Sequence, residues 1–254
     1  MKLYFQRHDG QAVTCDDFRA AMADANGINL DQFALWYSQA GTPVLEAEGR
    51  LKNNVFELTI KQTVPPTPDM ADKQPMMIPV KVGLLNRNGE AVAFDYQGKR
   101  ATEAVLLMTE AEQTFPLEGV TEAVVPSLLR GFSAPVYLNY PYSDDDLLLL
   151  LAHDSDAFTC WEAAQTLYRR AVAANLAALS DGIGLPKHEK LLAAVEKSFQ
   201  TTSWTTPSKP CFWACRPKPN CGTARKTSTR CATIRRAKPC WIRLPSAFCR
   251  NGTN

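Results

Sequence analysis

The sequence predicts an α+β fold, in which an antiparallel β-sandwich is flanked by helices and followed by a disordered C-terminal tail. Two observations carry this prediction. The spacing of apolar residues changes from a helical period to a period of two near Val44, and it returns to a helical period after Tyr142. The charge composition then changes abruptly near residue 200. These changes predict four segments, residues 1–43, 44–142, 143–199 and 200–254.

The first segment is predicted to hold two short helices. Thr14 begins a Thr-x-x-Asp sequence that ends at Asp17, a near relative of the capping box in which a hydroxyl accepts the amide three residues further on. Apolar residues then recur at helical spacing until Gly27 ends the helix. A second helix is expected between Leu30 and Gly41.

The second segment is predicted to form a series of short strands. Apolar and polar residues alternate over Phe56–Lys61 and again over Ile78–Leu84, as they do in half-buried strands. Asn88-Gly89 is the strongest short hairpin signal, because both residues tolerate a positive φ. Roughly seven or eight strands at a spacing of about 8–12 residues favour an antiparallel sandwich of about 100 residues. The other strand candidates are Ala91–Asp95, Ala104–Thr109, Gln113–Leu117, Val125–Leu129 and Pro135–Tyr140.

Helices are predicted again in the third segment. The acidic run Asp144-Asp145-Asp146 suits the positive end of a helix that continues to His153. A longer helix is expected to open at Asp154-Ser155 and to end at Gly182. Two or three helices cannot bury its wide apolar face, so the segment is interpreted as the start of a larger helical domain. That face holds Phe158, Trp161, Leu167, Val172, Leu176 and Leu179.

The last segment differs from the rest in charge and cysteine content. Residues 1–200 hold all 26 acidic residues and 17 of the 28 basic ones, whereas residues 201–254 hold the other 11 basic residues. Cys15 and Cys160 are the two cysteines of the first 200 residues, and their distance indicates a reducing compartment and a cytoplasmic location. The tail cysteines are Cys211, Cys215, Cys221, Cys231, Cys240 and Cys249.

Three interpretations apply to the tail. Its cysteines form no C-x2-C pair and no histidine lies among them, which disfavours a zinc module. Its charge of +11 would bind phosphates non-specifically, as a nucleic-acid arm does. The third interpretation is a shifted reading frame. If codons are inferred from the amino acids after Phe199 and read in another frame, they can encode acidic residues and leucines that continue the preceding helical pattern. We therefore predict a frameshift near Ser198–Gln200, an out-of-frame tail, and no nucleic-acid partner.

No membrane partner is expected either, because the longest apolar run, Leu147–Ala152, is too short to span a bilayer.

Five stretches of the chain resemble one protein family. They are Phe5–Phe18, Trp36–Pro43, Asp72–Pro75, Ala111–Phe115 and Phe132–Pro135. These stretches look like bacterial aminopeptidase N, the alanyl aminopeptidase branch of the zinc metallopeptidases that carry an HExxH site. The resemblance extends without a gap from residue 1 to about residue 199.

The resemblance implies a domain identity for each segment. Residues 1–43 would be the last helices of a thermolysin-like catalytic domain, residues 44–142 an immunoglobulin-like sandwich, and residues 143–199 the start of a C-terminal α-helical domain. The family's HExxH helix, its later glutamate ligand, its GxMEN strand and its transition-state tyrosine would all lie upstream. The resemblance therefore implies zinc for the parent family and no cofactor, metal-ligating or catalytic residue in this chain.

The three histidines support the same expectation. A zinc peptidase needs two histidines one helical turn apart and a carboxylate base. His8, His153 and His188 are at least 35 residues apart in the sequence. His8 beside Asp9 is interpreted as a helix-terminal contact, His153 as a cation suited to a helix C-terminus, and His188 as a residue of an exposed first turn.

The remaining candidates are also given structural interpretations. Cys15 is not expected to be reactive, because Asp16 and Asp17 oppose a lowered thiol pKa. Asp144-Asp145-Asp146 is interpreted as a capped helix start rather than as a site for a hard cation. Trp36-Tyr37 and Trp161 are interpreted as core or interdomain aromatics.

These observations favour a catalytically silent remnant of a zinc aminopeptidase, whose role in the parent is to pack the catalytic domain against the helical domain. Two alternatives stay open. The sandwich could be a stand-alone binding module, or the chain could complement a separately encoded catalytic half as part of a split enzyme. The parent family acts on peptides.

Overall fold

The computed structural model describes residues 1–201, which fall into two compact units. The first unit extends from Met1 to Ser143 and the second begins at Asp144. The predictions for the tail beyond residue 201, which are its disorder, its changed reading frame and the roles of its six cysteines, lie outside the described residues.

The first unit begins with three helices, α1 (Lys2–His8), α2 (Cys15–Asn26) and α3 (Leu35–Ser38), whereas only two were predicted; α1 is the additional one. The capping box predicted at the start of α2 is present. The Asp17 amide donates to the Thr14 hydroxyl (3.3 Å), and the Thr14 amide donates to the Asp17 carboxylate (2.8 Å). The Thr14 amide and then the Thr14 hydroxyl (2.8 Å) both donate to the Asp17 carboxylate, and these two hydrogen bonds hold the pKa of Asp17 below its ordinary value. The second predicted helix is shorter than expected and consists of a 3-10 turn over Gln32–Ala34 followed by α3.

Ten strands follow and form two sheets. Sheet 1 has the order β10-β1-β2-β8-β5-β6, and sheet 2 has β3 at its centre, paired with β4, β7 and β9. All pairs are antiparallel except β1 with β10, which run parallel with Val44 opposite Tyr137. The bounds are β1 Val44–Lys52, β2 Val55–Thr63, β3 Ile78–Asn86, β4 Ala91–Val92, β5 Phe94–Tyr96, β6 Lys99–Ala101, β7 Glu103–Met108, β8 Glu112–Glu118, β9 Val124–Leu128 and β10 Tyr137–Asn139. The predicted α+β class, with a sandwich between helical segments, is confirmed.

The predicted hairpin at Asn88-Gly89 is present, but its turn differs from the expected one. β3 and β4 pair as predicted, whereas only the glycine has a positive φ, of 85°. The side-chain oxygen of Asn86 accepts the amides of residues 88 and 90, which organises a wider turn. Two-residue turns with positive φ at both positions lie instead at Asn53-Asn54 and Gln97-Gly98.

The inward side chains of the two sheets form one core. Leu58 and Ile60 of β2 and Val80 and Leu106 of sheet 2 are fully buried. Each large aliphatic side chain buried in this way contributes about 1.5–3 kcal/mol relative to an exposed one. The sandwich is therefore held mainly by the contact between its two inner faces.

The second unit contains α4 (Asp144–His153), α5 (Ala157–Ser180) and α6 (Glu189–Thr201). α5 begins later than predicted, because the side chain of Asp156, not Asp154-Ser155, accepts the Thr159 amide (2.9 Å) and caps the helix. Gly182, with φ 68°, follows the end of α5 as predicted. Within residues 1–201, no helix combines the length and the apolar character that crossing a bilayer requires.

Candidate functional site

The structure places two of the histidines in separate surroundings. His8 ends α1, and its ring centroid lies 5.6 Å from that of Tyr4. Nε2 of His188 lies 3.0 Å from the side-chain oxygen of Asn175, a buried residue of α5. The first contact lies within α1, at the helix end where His8 was interpreted to lie. His188 directly precedes α6 and is partly buried against α5, so the interpretation of an exposed first-turn residue is wrong.

His188 also begins a partial metallopeptidase sequence. His188 and Glu189 are the first two residues of a His-Glu-x-x pattern, but Leu192 occupies the position one helical turn later. An HExxH site needs its second imidazole at that position. This stretch therefore lacks one of the two nitrogen ligands.

His153, the third histidine, lies at the end of α4 and contacts α6. Its Nε2 is 2.8 Å from Nζ of Lys197. Burial, and then the charge of Lys197, lower the pKa of His153. The ring is therefore neutral more readily than a free histidine, which differs from the expectation of a cation at this helix end.

The other candidates are Cys15 and the acidic residues at the start of α4. Cys15 is exposed at the start of α2. Asp144 forms an ion pair with Arg170, and Asp145 forms one with Lys190 (3.0 Å). In the part of the chain that the structure describes, no three His, Cys, Asp or Glu side chains are grouped so that they could hold a metal ion.

The same ion pairs line an open cleft of about 480 Å³ in the second unit. Leu148, Leu167 and Leu191 contribute apolar walls to this cleft. Because Asp144 and Asp145 are already paired with basic side chains of α5 and α6, the rim offers a ligand balanced charges. We assign the cleft no ligand.

The outward faces of the two sheets differ in polarity. On sheet 1 the outward residues are mostly polar, and Thr59 and Thr114 form a cross-strand hydrogen bond of 2.9 Å there. On sheet 2, Val105 and Leu107 of β7 point outward and are 53% and 45% exposed. An antiparallel sandwich alone in water usually has one solvated, polar face on each sheet. Sheet 1 follows this pattern, whereas the outward face of sheet 2 combines these two exposed apolar residues with the ion-paired Lys81, Glu103 and Arg130.

The outward face of sheet 2 continues toward the centre of β3. Leu85 and Val125, which lie opposite each other in the register, are nearly completely buried although the alternation of the strands directs them outward. Arg130 covers Gly83, where a Cβ atom would lie 2.6 Å from its Nη1. Of the outward residues of β3, only Pro79 and Lys81 are therefore partly accessible to water.

A second apolar surface lies on α5, and we call it the α5 stripe. Its members Val172, Leu176 and Leu179 recur at helical spacing and are 40%, 50% and 58% exposed. The prediction that this helix would not be fully covered is thus confirmed for these three residues.

Sequence reasoning missed the residues that join the first helices to the sandwich. Gln32 donates to the carbonyls of Pro75 (2.9 Å) and Thr109 (2.6 Å), and Trp36 donates to the Met77 carbonyl (2.9 Å). No local pattern could have found these contacts, because they connect positions 41–77 residues apart. Trp36, predicted to be a core or interdomain aromatic, is thus half-buried and hydrogen-bonded, whereas Tyr37 beside it is 55% exposed and does not belong to the core.

Comparison with known proteins identifies both units. A family described as a domain of unknown function (DUF3458) with an Ig-like fold matches residues 41–141. A second, described as DUF3458_C with ARM repeats, matches residues 144–208. The second match continues past the described residues, into the segment predicted to be out of frame. The first match coincides with the region predicted to be the sandwich, residues 44–142. The second covers the region predicted to be the start of the C-terminal helical domain, residues 143–199.

Several curated relatives are named aminopeptidase N. The protein from Escherichia coli is 42% identical over 192 residues, which cover 74% of this chain and 22% of the relative. The protein from Haemophilus influenzae is 38% identical, with 77% and 23% covered, and that from Caulobacter vibrioides is 38% identical, with 82% and 24% covered. The chain thus spans less than a quarter of each relative.

A solved structure agrees with these matches. The crystal structure of Legionella pneumophila aminopeptidase A in complex with aspartic acid is 28% identical and has a TM-score of 0.59, covering 75% of this chain and 20% of that one. The predicted resemblance is confirmed: the chain belongs to the aminopeptidase N family, of which it carries the Ig-like domain and adjoining ARM-repeat helices.

Proposed function

We propose that the chain is a non-catalytic, structural part of an aminopeptidase, in which the Ig-like sandwich and the first ARM-repeat helices pack against neighbouring domains. The observation that carries this proposal is the α5 stripe, a regular row of apolar side chains on the exposed side of a helix. The outward apolar residues of sheet 2 support it independently.

The energy of covering the α5 stripe is substantial. Complete burial of a Val or Leu side chain contributes about 1.5–3 kcal/mol, so covering three half-exposed ones contributes about 3 kcal/mol. Such a gain favours a neighbouring helix over water at this position. ARM repeats stack helix pairs in this manner, so that each repeat buries the apolar face of the one before.

The distribution of histidines supports a non-catalytic role. His8, His153 and His188 each contact a different side chain, and the partial motif at His188 ends in Leu192. We therefore propose no catalytic residue and no cofactor for this chain, and zinc for the complete aminopeptidase. Peptides would be substrates of the complete protein, in the cytoplasm.

A chimeric enzyme tests this role. The 192 matched residues of the E. coli aminopeptidase N are replaced by the corresponding residues of this chain, and hydrolysis of a fluorogenic alanine amide is measured. We expect an active chimera. Leu176→Lys should lower its thermal stability and activity, whereas Ala177→Lys, at an exposed position about 100° around the helix, should change both much less. Equal effects of the two lysines would contradict the packing role of the stripe.

The chain by itself distinguishes the alternatives. We expect no hydrolysis of the alanine amide by the purified chain, with or without added zinc. Hydrolysis that a chelator abolishes would overturn the non-catalytic role. Activity that arises only when the chain is mixed with an E. coli protein lacking the matched region would support the split-enzyme alternative.

A further inference from the structure

Three asparagines of this chain are followed by glycine, at Asn26, Asn88 and Asn251. Such an asparagine can lose ammonia without an enzyme, because glycine has no side chain that hinders the attack of its own backbone nitrogen on the preceding side-chain amide. The folded structure controls this reaction, since the nitrogen must reach the side-chain carbonyl carbon, Cγ, of the asparagine. Asn26 and Asn88 are both exposed but lie in different backbone settings, whereas Asn251 lies outside the described residues.

Asn88 lies at the tip of the hairpin between β3 and β4. The Gly89 amide donates to the Asn86 carbonyl (2.9 Å), so residues 86–89 form a β-turn with Asn88 at its third position. Among residues 1–201, the side chain of Asn88 forms no hydrogen bond. β4 is only two residues long, Ala91–Val92, so the hairpin tip can open while the rest of the sheet stays paired.

Asn26 is the last residue of α2, and the helix holds its side chain away from Gly27. Side chains of an α-helix lean toward the N-terminus of the helix, and the Asn26 side-chain amide donates back to the Met22 carbonyl (2.8 Å). The Gly27 amide donates to the Ala23 carbonyl at the helix cap. Both reacting groups are therefore held in hydrogen bonds that must break before the groups can meet, whereas at the hairpin tip only the glycine nitrogen is held.

We propose that Asn88 is a site of spontaneous deamidation in the folded chain, and that the end of α2 protects Asn26 from the same reaction. The Gly89 nitrogen loses its proton and attacks Cγ of Asn88, the bond from Cγ to the side-chain nitrogen breaks, and that nitrogen leaves as ammonia. Water then opens the resulting succinimide ring at one of its two carbonyls and leaves aspartate or isoaspartate at position 88. The overall change consumes one water and releases one ammonia, so it requires no oxidant, reductant or cofactor.

The products change the hairpin in two ways. Either product adds a negative charge two residues from Glu90, whose carboxylate accepts a hydrogen bond from the Asn86 side-chain amide (3.0 Å). Isoaspartate also adds one carbon to the main chain before Gly89, which displaces the Gly89 amide from the Asn86 carbonyl. We therefore expect amide hydrogen exchange at residues 89 and 90 to become faster as isoaspartate accumulates.

This modification is independent of the structural role proposed above and is tested on the full-length chain. The chain is incubated under reducing conditions at mildly alkaline pH, digested at acidic pH, and analysed by mass spectrometry with electron-transfer fragmentation, which distinguishes aspartate from isoaspartate. We expect the converted fraction at Asn88 to exceed that at Asn26 by about tenfold or more, where tenfold corresponds to about 1.4 kcal/mol, close to the net contribution of one hydrogen bond. Equal conversion at the two positions, or no conversion at Asn88, would overturn the proposal.

Unfolding separates the effect of the structure from that of the neighbouring sequence. In concentrated guanidinium chloride both dipeptides lose their hydrogen bonds, so the converted fractions at Asn26 and Asn88 should differ by less than about twofold. A tenfold difference that persists in the unfolded chain would contradict the protection of Asn26 by α2.

A pair of variants connects the modification to its effect on the hairpin. Asn88→Gln should abolish conversion at position 88 and the faster exchange at residues 89 and 90, because the longer glutamine side chain forms its cyclic imide much more slowly. Asn26→Gln is the matched control and should leave both unchanged. Circular dichroism verifies that both variants are folded. Exchange that becomes faster in Asn88→Gln as well would show that deamidation is not its cause.

Discussion

Replacing Gln62 should destabilise the sandwich, because this one buried side chain makes three hydrogen bonds to the backbone. Gln62 is a residue of β2 in sheet 1 and is only 6% exposed. Its amide nitrogen donates to the carbonyls of Met76 (2.9 Å) and Glu110 (2.8 Å), and its amide oxygen accepts the Met76 N–H (2.8 Å). One side chain thus joins β2 to the segment entering β3 and to the turn between β7 and β8.

The magnitude follows from the three hydrogen bonds. Each intramolecular hydrogen bond contributes about 1 kcal/mol net, and a buried group left without a partner costs about 1–3 kcal/mol. Gln62→Met keeps nearly the same side-chain length and volume but offers neither the donor nor the strong acceptor. We therefore expect the free energy of unfolding to fall by about 3 kcal/mol.

Equilibrium unfolding in urea measures this change, with hydrogen exchange in β2 and β8 reporting on the first unit. Gln74→Met is the matched control, because Gln74 lies two residues from Met76 and its side chain is exposed. We expect the control to shift the unfolding free energy by less than about 0.5 kcal/mol. If Gln62→Met is as stable as Gln74→Met, these hydrogen bonds do not fasten β2 to the segment entering β3 and to the turn between β7 and β8 as we argue.

Two further predictions concern a close contact and a titrating group. Gly49→Ala should cost about 1–3 kcal/mol, because a Cβ atom on this β1 residue would overlap the ring of Phe56 in the core; Gly184→Ala, in open space, should be nearly neutral in the same urea titration. His153 should make stability fall as the pH decreases. Its folded pKa lies below the ordinary value of 6.5, so the unfolded chain takes up the proton first and stability is lost as pH falls through 6.5 toward the folded pKa. Thermal unfolding between neutral and mildly acidic pH should show this dependence, and His153→Gln should flatten it; an unchanged slope would exclude His153 as its source.

Local sequence patterns were sufficient for elements whose determining contacts are short in sequence. The Thr14 cap acts on an amide three residues away, and the alternation from Phe56 to Ile60 expresses the geometry of a single strand. The family resemblance rested on similarly contiguous stretches. For the same reason the sequence identified the wide apolar face of α5, since its helical spacing belongs to one element.

Local sequence patterns predicted the turn conformations only in part. The Asn88-Gly89 signal located a hairpin correctly, but the side chain of Asn86 determined a wider turn than that dipeptide suggests. Asn53-Asn54, a weaker signal, adopts the two positive φ angles because β1 and β2 pair up to Lys52 opposite Val55 and leave two residues between them. Strand register therefore decided the turn type at Asn53-Asn54, and the Asn86 side chain decided it at Asn88-Gly89.

The sequence by itself determined where helices give way to strands and return, both ends of α2 and α4, most of the strands, and the family to which the chain belongs. Only the tertiary structure decided that Val44 pairs with Tyr137 in parallel, that Gln62 joins β2 to the segment entering β3, and that Val105 points away from the core. Each of these depends on residues distant in sequence that meet after the sandwich closes. A strand's pattern gives its two faces, but only the sheet that covers it selects which face is buried.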